Sequence, residues 1–196
     1  MIATLDIIAT FAFALVGARI AADRRMDYGG ILLIATVASL TGGSLRNLFL
    51  GERPIWLQQP WYFLSILLAV AITIALRITK PVGKVVLGMD TLGLAVATVS
   101  GVQYSLNHYA PSYAAVILGV LTAVAGGLLR DVLCQVEPVL LHRETIGTAC
   151  TVGALAYVLL EPSSLPNGAV ALISGGVIVL VRSLSIQKGW NLPKVK

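Results

Sequence analysis

The chain has 196 residues, of which 57% are hydrophobic and only 12% are charged, and its formal net charge is +5. A soluble domain carries about 25% charged residues, and a disordered chain contains few apolar ones, so both classes are excluded. A membrane-spanning helix needs about 20 mostly apolar residues, which leaves room for about seven spans joined by short loops. The composition therefore predicts a single all-α transmembrane domain over residues 1–196.

Apolar runs separated by charged or proline-containing stretches predict the seven spans. They cover approximately residues 3–22, 29–50, 61–79, 87–106, 112–135, 144–160 and 167–186. The first span has no basic stretch before it, so we expect a retained helix and not a cleaved signal peptide. Trp56, Trp61 and Tyr62 cluster near the start of the third span, as aromatic residues do at a membrane interface.

The distribution of basic residues predicts the orientation. The loops after spans 1, 3 and 5, the adjoining span ends and the C-terminal end carry eleven Lys and Arg residues, whereas the opposite side carries only Arg53. Because basic residues concentrate on the cytoplasmic side, we expect the N-terminus outside and the C-terminus in the cytoplasm. Arg77, Lys80 and Lys84 belong to this pattern and are predicted, as a further role, to bind anionic lipid headgroups.

An internal repeat relates the two halves of the chain at a constant offset of 84 residues. Three spans make up each unit, over residues 1–80 and 85–161, and the seventh span, 167–186, has no partner. Because three is an odd number, the two units must be inverted in the membrane, an arrangement typical of transport proteins. The residues in register are Asp6 with Asp90, Gly17 with Gly101, Gly42 with Gly126, Gly43 with Gly127, Arg46 with Arg130, Asn47 with Asp131 and Pro54 with Pro138.

Glycine pairs occur at matching positions of spans 2 and 5, within TGGSLRN (41–47) and AGGLLRD (125–131). Glycine weakens a helix, and kinks often fall at such positions. We expect two broken helices that face each other across a wet cavity, with freed carbonyl groups replacing part of a cation's hydration shell. Close packing of intact helices is the alternative, but the repetition of each pair with an arginine at the same spacing favours the broken helices.

The hydroxyl groups expected to line the same path belong to Thr36, Ser39, Thr41 and Ser44 in span 2 and Thr122 in span 5.

Charged residues also lie within the apolar spans. An arginine at a helix centre costs about 2.5–3.5 kcal/mol, so Arg46 and Arg130 are expected to pair with Asp6, Asp90 or backbone carbonyls. Asp131 is not expected to face Arg130, because neighbours on a helix point in different directions. Either the arginines and Asp131 act in the pathway or its gating, or the arginines fix the helices structurally. Asp6 and Asp90 are expected to cap their helices, with Asp90 also attracting cations to a cytoplasmic mouth.

The sequence shows no nucleophile elbow, phosphate-binding loop, paired-carboxylate motif or metal-ligand cluster. We therefore expect neither an enzyme nor a protein with a metal or organic cofactor. Since the positive charge follows the topology, we expect no nucleic-acid partner. Permeant potassium or sodium ions and membrane lipids are the expected small-molecule partners.

The 3+3+1 plan with GGxxR(N/D) motifs in spans 2 and 5 resembles the prokaryotic trimeric intracellular cation (TRIC) channel family. The resemblance implies a homotrimer in the plasma (inner) membrane, with one pore per subunit lined by kinked spans 2 and 5 and permeable to monovalent cations, potassium above all. The chain departs from the fuller GGGxxRD pattern at Thr41, Ala125 and Asn47. Relatives have also been described as glycine transporters, so carriage of a small zwitterion such as glycine is the alternative. The residues implicated by the resemblance are Gly42, Gly43, Arg46, Gly126, Gly127, Arg130 and Asp131.

Overall fold

The computed structural model describes residues 2–76, 84–136 and 146–189. Within these ranges the chain forms seven α-helices, and a short 3₁₀ helix (Ile55–Leu57) precedes the third. The α-helices are α1 (Ile2–Asp23), α2 (Tyr28–Phe49), α3 (Trp61–Ala75), α4 (Lys84–Asn107), α5 (Ser112–Leu133), α6 (Ile146–Leu160) and α7 (Asn167–Lys188). Five are long and apolar enough to cross a membrane by length and composition, and α3 and α6 are shorter apolar helices of 15 residues each. The predicted all-α fold with a 3+3+1 plan is confirmed.

Short polar segments set the ends of these helices. The Asp27 carboxylate accepts a hydrogen bond from Gly30 N at 2.7 Å and so caps the start of α2. Pro111 and Pro166 precede α5 and α7, where the missing N–H of proline costs no helical hydrogen bond. Gly189 ends α7 with φ +62°, a left-handed conformation that glycine adopts readily. The described connections before α2, α5 and α7 are therefore short.

The two repeats pack through α2 and α5, which run antiparallel. Ala38 of α2 lies against Gly126 of α5, whereas Gly42, one turn later, lies against Thr122, one turn earlier. The contact positions thus advance in opposite directions along the two helices. This is the arrangement that an inverted repeat requires.

Small residues also bring the helices of each repeat together. A Cβ atom on Gly17 would lie 3.0 Å from the Cβ of Ala38, and one on Gly101 would lie 3.0 Å from Thr122 Oγ1. Ala38 and Thr122 occupy equivalent positions in the two repeats, so the same close approach occurs twice. Such contacts are how helices pack in lipid, where burial of apolar surface does not drive association.

The helix α7 stands outside the repeats and packs on the second one, against α4 and α6. A Cβ atom on Gly153 of α6 would lie 2.1 Å from Ile178 Cγ1 of α7, and Ile178 is fully buried. The seventh helix is therefore an integral part of the fold and covers one side of the second repeat.

Candidate functional site

The helices that carry the glycine pairs are continuous. α2 extends over Tyr28–Phe49 and α5 over Ser112–Leu133 without interruption. The hydroxyls of Thr41 and Ser44 donate to backbone carbonyls four residues earlier, at 2.7 and 2.8 Å, as they do in an intact helix. The expectation of unwound turns with freed carbonyls is therefore wrong, because tertiary packing outweighs the low helix propensity of glycine.

The first glycine of each pair forms the crossing of α2 and α5. A Cβ atom on Gly42 would lie 1.9 Å from the carbonyl oxygen of Thr122, and one on Gly126 would lie 2.0 Å from the carbonyl oxygen of Ala38. Those oxygens belong to the backbone and cannot turn aside as a flexible side chain can. Close packing, the alternative reading of the sequence, is therefore the role of these two glycines.

The second glycine of each pair faces an arginine. A Cβ atom would lie 3.9 Å from Arg46 Nη2 at Gly43 and 3.7 Å from Arg130 Nη2 at Gly127, which are ordinary contact distances. Gly43 and Gly127 each line a small cavity, one on either side of the crossing. The two glycines of a pair thus have different roles.

The cavity of the first repeat, named the Asp6 cavity, offers about 40 Å³ to water-sized particles, and Asp6, Thr10, Ser39, Gly43, Tyr62 and Thr122 contribute to its wall. The cavity of the second repeat, the Asp90 cavity, offers about 20 Å³, and Asp90, Leu94, Ala123, Gly127, Arg130 and Ile146 contribute to its wall. Because one water needs about 10–15 Å³, the Asp6 cavity has room for about three water-sized particles and the Asp90 cavity for one or two.

Phe13 of α1 contributes to the walls of both cavities. Its side chain is 4% exposed and packs on α4, where a Cβ atom on Gly93 would lie 3.0 Å from Phe13 Cε1. The equivalent residue in the second repeat is Ala97, which is much smaller and contributes to the wall of the Asp6 cavity. Phe13 is therefore a wall residue shared by the two cavities.

Arg46 binds Asp6 at the start of α1. The Nη2–Oδ2 distance is 3.0 Å and the Nη1–Oδ1 distance is 3.4 Å, so the contact is bidentate. Arg46 Nε donates to Asn47 Oδ1 at 3.0 Å, and its guanidinium lies 4.1 Å from the ring centroid of Tyr104. The predicted pairing of Arg46 with Asp6 is confirmed, and the pair ties α2 to α1.

The equivalent pair joins α5 to α4, with 3.3 Å between Arg130 Nη1 and Asp90 Oδ1. Arg130 Nε and Nη2 both lie 2.8 Å from Asp131 Oδ1, so the expectation that Asp131 faces away is wrong. The long arginine side chain folds back along its own helix, and Asn47 offers Arg46 the corresponding amide oxygen. Arg182 of α7 binds the second oxygen of Asp90 at 2.8 Å, which attaches α7 to the same cluster.

The charged residues lie at helix ends. Arg46 and Arg130 are in the last turns of α2 and α5, not at helix centres, so their charges complement the carbonyl ends of the helices. No acidic residue lies in the first turn of α1 or α4. The expected capping role of Asp6 and Asp90 is therefore wrong, since both carboxylates bind arginines instead.

The hydroxyls predicted for the pathway divide into two groups. Ser39 and Thr122 contribute to the Asp6 cavity. Thr36, Thr41 and Ser44 line a separate groove beside Trp56 and Phe63, where Trp56 Nε1 donates to Ser44 Oγ at 2.9 Å. Thr41 and Ser44 are thus not in the walls of the Asp6 and Asp90 cavities, because they lie on another face of α2.

Sequence reasoning missed Thr10 and Phe13, and it placed Tyr62 among interfacial aromatic residues, whereas Tyr62 is buried and contributes to the Asp6 cavity. Asp6, Thr10 and Phe13 follow one another at spacings of four and three residues, which places them on one face of α1. This spacing around a buried acid was the available signal.

Of the predicted lipid-binding cluster, Arg77 and Lys80 lie outside the described residues, and Lys84 is the first residue of α4.

We expect Arg46→Met to lower the free energy of unfolding by about 3–5 kcal/mol, because it leaves the Asp6 carboxylate buried without its partner. Chemical unfolding in detergent measures the change. The double substitution Asp6→Asn with Arg46→Met should recover a large part of it, and Arg24→Met, at an exposed position, is the matched control. Equal stability of Arg46→Met and the control would contradict a structural role for the pair.

The sequence model of a family described as Glycine transporter matches the chain twice, over residues 3–77 and 87–162. The UPF0126 inner membrane protein YadS of Escherichia coli is 33% identical over 193 residues, which cover 96% of this chain and 93% of that protein. A UPF0126 membrane protein of Vibrio cholerae is 31% identical over 191 residues, which cover 96% of this chain and 79% of that protein.

Solved structures of membrane proteins are also similar to nearly the whole chain. The TRIC trimeric intracellular cation channel orthologue from Rhodobacter sphaeroides superposes with a TM-score of 0.90 at 31% identity, over 96% of this chain and 98% of that one. A second TRIC cation channel structure gives a TM-score of 0.85 at 31% identity, over 98% of this chain and 96% of that one. The chain therefore belongs to the prokaryotic trimeric intracellular cation (TRIC) channel family, and each of its two repeats matches the domain described as Glycine transporter.

Proposed function

We propose that the protein is a channel for monovalent cations, with potassium as the physiological ion and one pore in each subunit of a homotrimer. The observation that carries the proposal is the likeness of nearly the whole chain to the TRIC channel of Rhodobacter sphaeroides, at a TM-score of 0.90 and 31% identity. The positions of the basic residues support an inner-membrane protein with its N-terminus outside and its C-terminus in the cytoplasm. Membrane lipids bound near Arg77, Lys80 and Lys84 are part of the same proposal.

The proposed pore follows the α2–α5 crossing, from the Asp6 cavity past Phe13 to the Asp90 cavity. Both cavities are small, so conduction requires α2 and α5 to move relative to α1 and α4. The Arg46–Asp6 and Arg130–Asp90 pairs join those same helices. The arginines are therefore proposed to act in gating, by holding the narrow arrangement together.

We expect Arg130→Gln to alter the open probability more than Lys80→Gln does, because Arg130 contacts Asp90 and Asp131 while Lys80 belongs to the segment between α3 and α4. Single-channel recording of both purified variants in planar bilayers measures the difference. Equal and negligible effects of the two substitutions on the open probability would indicate that Arg130 has a purely structural role.

A glycine carrier is the second candidate, because the family model that matches both repeats is described as Glycine transporter. The cavity dimensions favour the channel. The larger of the two cavities at the crossing has room for about three water-sized particles, whereas glycine has five non-hydrogen atoms. Passage of glycine would therefore require the helices to separate further than passage of a single cation would.

Flux measurements on reconstituted liposomes separate the two candidates. We expect passive cation flux that does not saturate at low millimolar concentrations, and no counterflow of labelled glycine. Saturable glycine counterflow in liposomes that show no cation flux would contradict the channel and support the carrier. Protein-free liposomes of the same lipid composition supply the control for leakage.

A further inference from the structure

The two cavities are equivalent in the repeat but differ in chemistry. Three polar wall residues of the Asp6 cavity have apolar counterparts in the wall of the Asp90 cavity. The pairs are Thr10 with Leu94, Ser39 with Ala123 and Tyr62 with Ile146. The polar residues in the wall of the Asp90 cavity are the charged Asp90, Arg130 and Asp131, so uncharged hydroxyl groups distinguish the wall of the Asp6 cavity.

Three hydroxyl-bearing residues of the described helices, Thr10, Ser39 and Thr122, contribute to the wall of the Asp6 cavity. Thr10 Oγ1 donates to the Asp6 carbonyl at 2.8 Å, Ser39 Oγ to a carbonyl at 2.7 Å and Thr122 Oγ1 to a carbonyl at 2.6 Å, each four residues earlier in its own helix. A hydroxyl has one proton and two lone pairs. Because each hydroxyl proton is already used in a hydrogen bond within its own helix, the three hydroxyl oxygens can act only as hydrogen-bond acceptors or as ligands of a cation.

Tyr62 adds a second, independent observation. Its side chain is 4% exposed, and its hydroxyl has no hydrogen-bond partner among the described residues. A buried hydroxyl without a partner is costly and uncommon in folded proteins. An occupant of the Asp6 cavity would supply the missing partner.

We propose that the Asp6 cavity binds one partly dehydrated monovalent cation through the hydroxyl oxygens of Thr10, Ser39 and Thr122. A water held with the ion accepts the hydrogen bond of Tyr62. This inference rests on the proposed channel function and assigns the place within the pore where the ion loses part of its hydration shell.

The charge of the site favours a monovalent over a divalent ion. The Asp6 carboxylate is already bound by Arg46 through both of its oxygens, so the ligands left for an ion are mainly uncharged oxygens. Mg²⁺ gives up water reluctantly, and protein sites for Mg²⁺ and Ca²⁺ usually include carboxylates that are free to bind the ion. The volume of about 40 Å³ also fits one ion with one or two waters.

Ion-dependent thermal unfolding of the purified full-length protein in detergent tests the site. In KCl the protein should unfold at a higher temperature than in N-methyl-D-glucamine chloride of equal ionic strength, with a saturable dependence on potassium. Thr10→Val with Ser39→Ala removes two ligands and should weaken apparent potassium affinity by about tenfold or more. Thr41→Val is the matched control, because its hydroxyl makes the same type of helix bond at 2.7 Å but lies in the groove beside Trp56.

Equal unfolding temperatures of the wild-type protein in the two salts would overturn the proposal, and so would an unchanged potassium affinity in the double variant. If the double variant does not fold, Tyr62→Phe is tested in its place. Crystals of Tyr62→Phe soaked in RbCl should then lack the anomalous rubidium peak in this cavity. Wild-type crystals should show that peak, and their failure to do so would also overturn the site. Because these readouts measure binding, a protein that binds potassium at this cavity but passes no current would contradict the channel and leave the site standing.

Discussion

Alanine at Gly42 or Gly126 is expected to destabilise the protein by about 3 kcal/mol or more at either position. The added Cβ atom would lie 1.9 or 2.0 Å from a backbone oxygen of the opposite helix, so α2 and α5 would have to separate. The loss should extend beyond conduction to the fold itself. Thermal unfolding in detergent and the elution profile on size exclusion measure it.

The second glycines supply the matched controls. Alanine at Gly43 or Gly127 meets only an arginine Nη2 at 3.9 or 3.7 Å and improves helix propensity by about 1 kcal/mol. Both variants should therefore unfold at or above the wild-type temperature. If Gly42→Ala unfolded at the same temperature as Gly43→Ala, the close crossing would not be the reason for the first glycine.

Phe13→Ala is expected to raise the unitary conductance severalfold, because it removes the large side chain that lines both the Asp6 and the Asp90 cavity. The substitution should also destabilise the fold by about 3–5 kcal/mol, so recordings are made on the monodisperse fraction. Planar-bilayer recording in symmetric KCl provides the measurement.

Phe11→Ala is the control for the loss of an aromatic ring from α1, since Phe11 packs in the α1–α2–α3 cluster and lines neither of the two cavities. It should leave the unitary conductance unchanged. Equal conductance of Phe13→Ala and the wild type would place the conduction path elsewhere.

The elements of the fold were predictable because long apolar runs must be helices in lipid, where every backbone polar group needs an internal partner. The repeat then placed Asp6 and Arg46 in the same relation as Asp90 and Arg130. The glycine pairs could not be assigned in this way. Whether Gly42 marks a break or a crossing depends on which atom lies opposite, and that atom, the carbonyl oxygen of Thr122, is 80 residues away in the chain.

The side chains at the cavities were harder to predict for a different reason. In a soluble protein an apolar stripe marks the buried face of a helix, but lipid is as apolar as a protein core, so both faces of a membrane helix are apolar. Hydrophobicity therefore gives no sign that Thr10, Phe13 and Tyr62 are buried, and only the spacing of Thr10 and Phe13 from Asp6 indicates their position. The orientation of Asp131 toward Arg130 depends on the reach of one side chain, which spacing alone does not specify.

The central claim, a cation-selective pore, is tested most directly by the reversal potential of single-channel currents in asymmetric KCl. With a tenfold gradient the currents should reverse close to the potassium equilibrium potential, about 59 mV in magnitude. Reversal near zero, or the complete lack of unitary currents from correctly folded protein, would contradict the account.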